Sequence, residues 1–179
     1  MESNEEKKTI DEEALINEAF QELLDIYLAS QHRKKVELIT KAFNFARQAH
    51  KGVRRHSGEA YIMHPLAVAR IVCKEIGLGS TSICAALLHD VIEDTDYTVD
   101  YLAKQGFDKE ILDALLLLTH EDKVDYMDYV TKIKQNPIAK AVKLADLNHN
   151  SDLTRLDAID QKALERREKY QKAIELLNK

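Results

Sequence analysis

Apolar residues recur at helical spacing along most of this chain, and no segment alternates apolar and polar residues as a half-buried strand would. Ile16, Phe20, Leu23 and Tyr27 form one stripe, and Val36, Ile39, Phe43 and Ala46 form a second. Pro65 can occupy the first turn of a third helix, with Val68, Ile71 and Val72 on its apolar face and Gly77 and Gly79 ending it. Ser80 is placed to cap a fourth, which carries Cys84, Leu87, Leu88 and Val91. The spacing predicts further helices near 108–118, 124–135, 138–148 and 159–178. Five Gly and two Pro in 179 residues are few for a chain built on many tight β-turns. The expectation is an all-α domain whose first dozen residues are frayed.

Charge and composition exclude several function classes. Lys and Arg total 26 against 31 Asp and Glu, a net charge of −5, which disfavours a binder of nucleic-acid polymers while allowing a local basic site. No apolar run approaches the roughly 20 residues that span a bilayer, so no membrane partner is expected. The N-terminal MESNEEKKTIDEE is acidic and polar, unlike a secretory leader. Cys73 and Cys84 sit in apolar contexts without metal-like spacing, which fits a reduced, cytoplasmic setting.

Four polar clusters carry the chemistry. His64 precedes Pro65 at a helix entrance, where the backbone is held extended; taken alone it reads as a capping or half-buried histidine. LLHDVIEDT places His89, Asp90, Glu93 and Asp94 within six residues, directly after an apolar run. Helical spacing would put His89 and Glu93 on one face, and Asp90 and Asp94 on the next. Burying that many carboxylates without a cation is costly, so a bound metal is the economical reading. Asp146 follows the apolar residues of VKLADLNHN, with His149 and Asn150 behind it; alone it reads as a helix end or cap, and it gains weight because the other candidates lack one more ligand. Two His and two Asp suit a borderline divalent ion with positions left for water; Mn²⁺, Fe²⁺ and Zn²⁺ all qualify. The fourth cluster is the basic stretch KGVRRHSGE, a Gly-containing loop able to receive phosphates.

HKGVRRHSGEAYIMHP, LLHDVIEDT and VKLADLNHN, in that order, resemble the HD-type hydrolase domain of the Rel/SpoT alarmone enzymes. The architecture is most similar to the small alarmone hydrolases of the metazoan SpoT-homologue type, which lack a synthetase half. The resemblance runs over roughly residues 35–175. It implies a compact multi-helix HD-domain hydrolase fold over 32–179, with an N-terminal amphipathic helical extension over 1–31. It also implies a Mn²⁺ cofactor and hydrolysis of the 3′-diphosphate of ppGpp or pppGpp to GDP or GTP plus pyrophosphate. Carried onto this chain, the metal ligands are His64, His89, Asp90 and Asp146, and the catalytic acidic pair is Glu93 and Asp94. Arg55, His56, Ser57 and Asn150 would bind the guanine nucleotide alarmone, with Arg54 or Lys51 assisting at the diphosphate. A homo-oligomer is left open.

The chain departs from the family pattern at defined places. His56 stands where Lys is usual, Ala60 where Pro is usual and Val53 where Gln is common. Asp152 occupies a position that is often Arg. These departures touch the substrate loop and leave the metal set whole. They keep open two alternatives: an HD phosphohydrolase acting on another nucleotide, and a non-catalytic nucleotide-binding module.

Overall fold

A computed structural model describes residues 3–32, 34–152 and 160–179. Residues 1 and 2 of the expected extension and residue 159 of the expected last helix lie outside the described residues. The helices are α1 (Asn4–Ala29), α2 (Val36–Ala49), α3 (Met63–Ile71, continued by a wider turn over Val72–Ile76), α4 (Ser80–Leu88) and α5 (Val91–Asp94). They are followed by α6 (Val99–Lys104), α7 (Lys109–Leu118), α8 (Tyr126–Ile133), α9 (Pro137–Asn150) and α10 (Gln161–Asn178). Among the described residues the extended structure is a single antiparallel bridge between Arg54 and Ala60. The all-α expectation holds.

Helix α4 is the centre of the molecule. Its last seven residues, Ser82 to Leu88, are all buried. A helix apolar on every face has to be enclosed by others, and α2, α3, α7 and α9 pack around it. This arrangement decides where the site lies, because the chain's next residues, His89 and Asp90, emerge from the core at the end of α4. Helix α9 is started by Asn136, whose side chain accepts bonds from the backbone N–H groups of Ile138 and Ala139, with Pro137 in the first turn. Its last turn carries Asp146 to the same place.

Three expectations are corrected. Residues 3–12 are not frayed: Ser3 and Glu6 form a reciprocal capping box that starts α1 at Asn4. The stripe Ile16, Phe20, Leu23 and Tyr27 is buried, and the Phe20 ring stacks on Phe43 of α2 at 3.9 Å between centroids. Helix α4 is capped at Gly79, and Ser80 is its first helical residue. The chain also turns between α4 and α5, with Asp90 at φ −100° and ψ −4°, so the motif is not one continuous helix.

Candidate metal centre and substrate cleft

The turn at His89–Asp90 has a chemical consequence. Adjacent residues on an unbroken helix point about 100° apart. With the helix broken between them, His89 Nε2 lies 3.0 Å from Asp90 Oδ2. The same imidazole nitrogen lies 3.4 Å from Asp146 Oδ1, brought in by α9. His64, from the first turn of α3, completes the group: its Nε2 is 2.9 Å from Asp146 Oδ1 and 3.7 Å from Asp90 Oδ2. His64, His89 and Asp146 are buried, and each offers a ligand atom within 4.8 Å of the others. Asp90 adds a second carboxylate at their edge.

The His89 ring tests whether a cation fits. Its Nδ1 is 2.6 Å from the Ala86 carbonyl, so Nδ1 carries a proton and donates it. Its Nε2 is buried and makes no hydrogen bond, because the nearby carboxylate oxygens lie off the ring axis. Burial opposes charge on His89, yet Asp90 and Asp146 override it and hold the ring well toward the cationic form. The position therefore favours positive charge, which a divalent cation at Nε2 would supply. His64 is similarly arranged, its Nδ1 2.8 Å from Nδ1 of His149 behind it. An imidazole fixed through its second nitrogen is the usual form of a metal-binding histidine. Burial lowers the His64 pKa, which leaves the ring neutral and able to ligate.

The two carboxylates are anchored from outside. Tyr61 donates to Asp90 Oδ2 at 2.5 Å. Lys143 donates to Asp146 Oδ2 at 3.1 Å, while Asn150 Nδ2 donates to Oδ1 at 3.1 Å. Burial pushes the Asp146 pKa up, but Lys143 and the two histidines outweigh it and keep the carboxyl far below its usual range. Lys143 is itself buried against Tyr126 and Tyr129, its Nζ 5.8 and 5.3 Å from their ring centres. The sequence reading passed over Tyr61 and Lys143. Their partners are 29 and three residues away, and only packing reveals that the bonds form.

Glu93 and Asp94 stand on α5 at the solvent side of Asp90. The protein crowded around them, then Asp90, raises both pKa values, Asp94 to about 6. On the other side opens a cleft of about 300 Å³, at the small end of small-molecule sites. Arg55, His56, Ser57 and Asn150, the four expected substrate residues, all line it. Arg55 Nη2 donates to Asn150 Oδ1 at 2.9 Å, so Asn150 joins the cleft to Asp146. Arg54 behaves differently from its expected role: its guanidinium turns to Glu12 of α1 at 2.8 Å.

Besides Tyr61, the sequence reading missed the cleft residues that α10 supplies. Arg166 and Tyr170, one turn apart on α10, line the wall beside Asp152. Their helix reads from sequence as an ordinary solvated one, and only its docking on α8 and α9 turns this face inward. Arg166, an exposed cation, and Asp152 line the same cleft.

The sequence model of the HD domain family matches residues 42–145, a span that includes His64, His89 and Asp90 and stops one residue before Asp146. Over 144 residues, 74% of this chain, it is 35% identical to the bifunctional (p)ppGpp synthase/hydrolase SpoT of Escherichia coli K12. Over 115 residues, 64% of this chain, it is 39% identical to a guanosine-3′,5′-bis(diphosphate) 3′-pyrophosphohydrolase of Vibrio cholerae. The matches span only 20% and 15% of those relatives' lengths. A solved structure of a metazoan orthologue of SpoT, described as hydrolysing ppGpp, superposes with a TM-score of 0.65 at 22% identity, covering 80% of this chain and 86% of that one. That likeness establishes the fold. Because the family model covers more than half of the sequence, including the segment that turns at His89 and Asp90, the chain belongs to the HD domain family.

Proposed function

We propose that this protein is a Mn²⁺-dependent 3′-pyrophosphohydrolase of (p)ppGpp, acting in the cytoplasm, with residues 32–179 as the catalytic domain. One observation carries the reading: a buried His–Asp group is joined by hydrogen bonds, Tyr61 to Asp90 and Asn150 to Asp146, to a cleft that also holds Arg55 and Arg166. The relatives' recorded activities supply the substrate class. His64, His89, Asp90 and Asp146 would hold the ion. When bound, it stabilises charge on phosphoryl oxygens and makes water a better nucleophile at neutral pH.

The chain's own groups do the rest. Glu93 or Asp94 orients the attacking water and accepts its proton. Water adds to the phosphorus attached to the 3′ oxygen, the P–O3′ bond breaks, and the 3′ oxygen takes up a proton as pyrophosphate leaves. Arg55 opposes the negative charge of the diphosphate where it builds. Asn150 holds the Arg55 guanidinium in line with Asp146. Tyr170 and Ser57 line the same cleft and would meet the nucleoside part of the substrate.

The deciding measurement is pyrophosphate release from ppGpp by purified protein, with Mn²⁺ and with chelator, beside GTP and NADPH controls. Mn²⁺-dependent conversion to GDP is expected. No release from protein shown to carry metal would overturn the reading. A second reading, hydrolysis of another nucleotide, is favoured by Asp152 and His56 in the cleft; clear preference for a different phosphate ester in a substrate panel would select it.

A pH profile tests the acidic pair. The Asp94 carboxyl is raised to about 6, and a base accepts a proton only when ionised. A bound cation offsets the Asp90 charge, so in metal-saturated protein kcat/KM falls as the pH drops through a midpoint at or below about 6 and levels off above it. A profile flat over roughly pH 5 to 8, with metal content checked at each point, would remove Asp94 from the proton-transfer role.

A further inference from the structure

Arg54 and Arg55 are neighbours in sequence and both line the cleft, yet their guanidiniums take different partners. Arg55 reaches Asn150 in the cleft. Arg54 reaches back 42 residues to α1 and takes both oxygens of Glu12, Nη1 to Oε2 at 2.8 Å and Nη2 to Oε1 at 3.0 Å. The same Nη1 donates to the Gly58 carbonyl at the hairpin turn, at 3.0 Å. One guanidinium thus ties the tip of the hairpin to a helix outside the span matched by the family model.

The hairpin needs such a tie. Its own bonds are few: Arg55 N–H to the Glu59 carbonyl at 3.0 Å, Tyr61 N–H to Val53 at 2.9 Å and Gly58 N–H to Arg55 at 2.9 Å. Gly52 and Gly58 have φ of 80° and 90°, which keeps both ends of the turn in glycine-only conformations. An isolated two-stranded hairpin is marginal in water. Helix α1 is by contrast a firm support, since Ile16, one turn after Glu12, is buried in the core with Phe20, Leu23 and Tyr27.

We propose that Glu12 is a positioning residue for the substrate hairpin. Through Arg54 it fixes the tilt of residues 53–61 over the metal centre, so that Arg55 meets Asn150 and the diphosphate. Helix α1 is then part of the substrate-recognition apparatus, and Arg54, which itself lines the cleft, acts as the clamp. The kinetic half of this proposal rests on the hydrolase reading above; the structural half does not.

The test compares Glu12→Gln with Glu13→Gln in the full chain, by kinetics with ppGpp and by amide hydrogen exchange. An exposed pair of this kind supports a KM rise of about two- to fivefold in Glu12→Gln, with kcat little changed. Exchange at the amides of Arg55, Gly58 and Tyr61 should quicken in Glu12→Gln alone. The charge-swapped pair Glu12→Arg with Arg54→Glu should recover most of the KM loss of either single change. Unchanged hairpin exchange in Glu12→Gln, or a swapped pair no better than its singles, would overturn the proposal. Should the wild-type protein leave ppGpp intact, the hydrolase reading fails, and the exchange comparison alone decides whether the clamp exists.

Discussion

Asp146→Ala yields a protein that holds no divalent metal and has lost at least about a thousandfold in turnover. Asp146 is the point where the centre is joined together. Its Oδ1 faces both His64 and His89, at 2.9 and 3.4 Å, and accepts from Asn150; its Oδ2 accepts from Lys143. Removing it deletes a ligand and releases the Asn150 amide that steadies Arg55. A bound ion contributes several kcal/mol of transition-state stabilisation, and every ~1.4 kcal/mol is tenfold in rate. The change also leaves the Lys143 ammonium, with 12% of its side chain exposed, without its carboxylate. Breaking one side of a buried ion pair costs about 3–5 kcal/mol. The metal-free variant should therefore unfold at lower urea than metal-free wild type, by an amount near the bottom of that range because the two tyrosine rings still face the lysine. Elemental analysis and urea titration check both parts. Full metal content in the variant would undo the ligand assignment, whatever its stability.

Glu93→Gln is expected to separate chemistry from metal binding. The substitution keeps the size and the hydrogen-bonding edge of the side chain and removes its capacity to accept a proton. Loss of a general base lowers rates by about 10²–10⁴, and the loss should fall on kcat with KM and metal content close to wild type. Glu93 is held differently from Asp94: Asp90 and Asp94 raise its pKa, while Lys143 and His120 lower it. For Asp94, burial and then Asp90 raise the pKa while His89 opposes them. If Glu93→Gln leaves kcat within about twofold, the proton goes to Asp94 and the acid limb of the pH profile belongs to that group alone. A variant that also loses metal would instead place Glu93 among the ligands.

Much of the helical framework is readable locally, because the 3.6-residue period is a property of a dozen residues at a time. The buried stripes of α1 and α2 follow from spacing, and the fully apolar turns of α4 mark it as the enclosed helix. The short helices α5 and α6 were not anticipated; four and six residues are too few to show a period. The expected loop KGVRRHSGE is in fact the small hairpin around the Arg54–Ala60 bridge. Its basic character was legible, but the separate destinations of its two arginines were not.

The candidate site divides along the same line. The residue types that make a metal centre, and their grouping into motifs, are present in the sequence before any folding is considered. So are the all-α architecture and the prominence of His64, His89, Asp90, Glu93, Asp94 and Asp146. Tertiary structure alone decided the anchoring of Asp90 by Tyr61, the entry of Arg166 and Tyr170 into the cleft, and the turn of Arg54 toward Glu12. The physical reason is range. Helix propensity and apolar periodicity act between residues three and four apart, whereas the 42-residue reach to Glu12 and the 95-residue reach from Arg55 to Asn150 exist only once packed helices bring those groups within hydrogen-bonding distance.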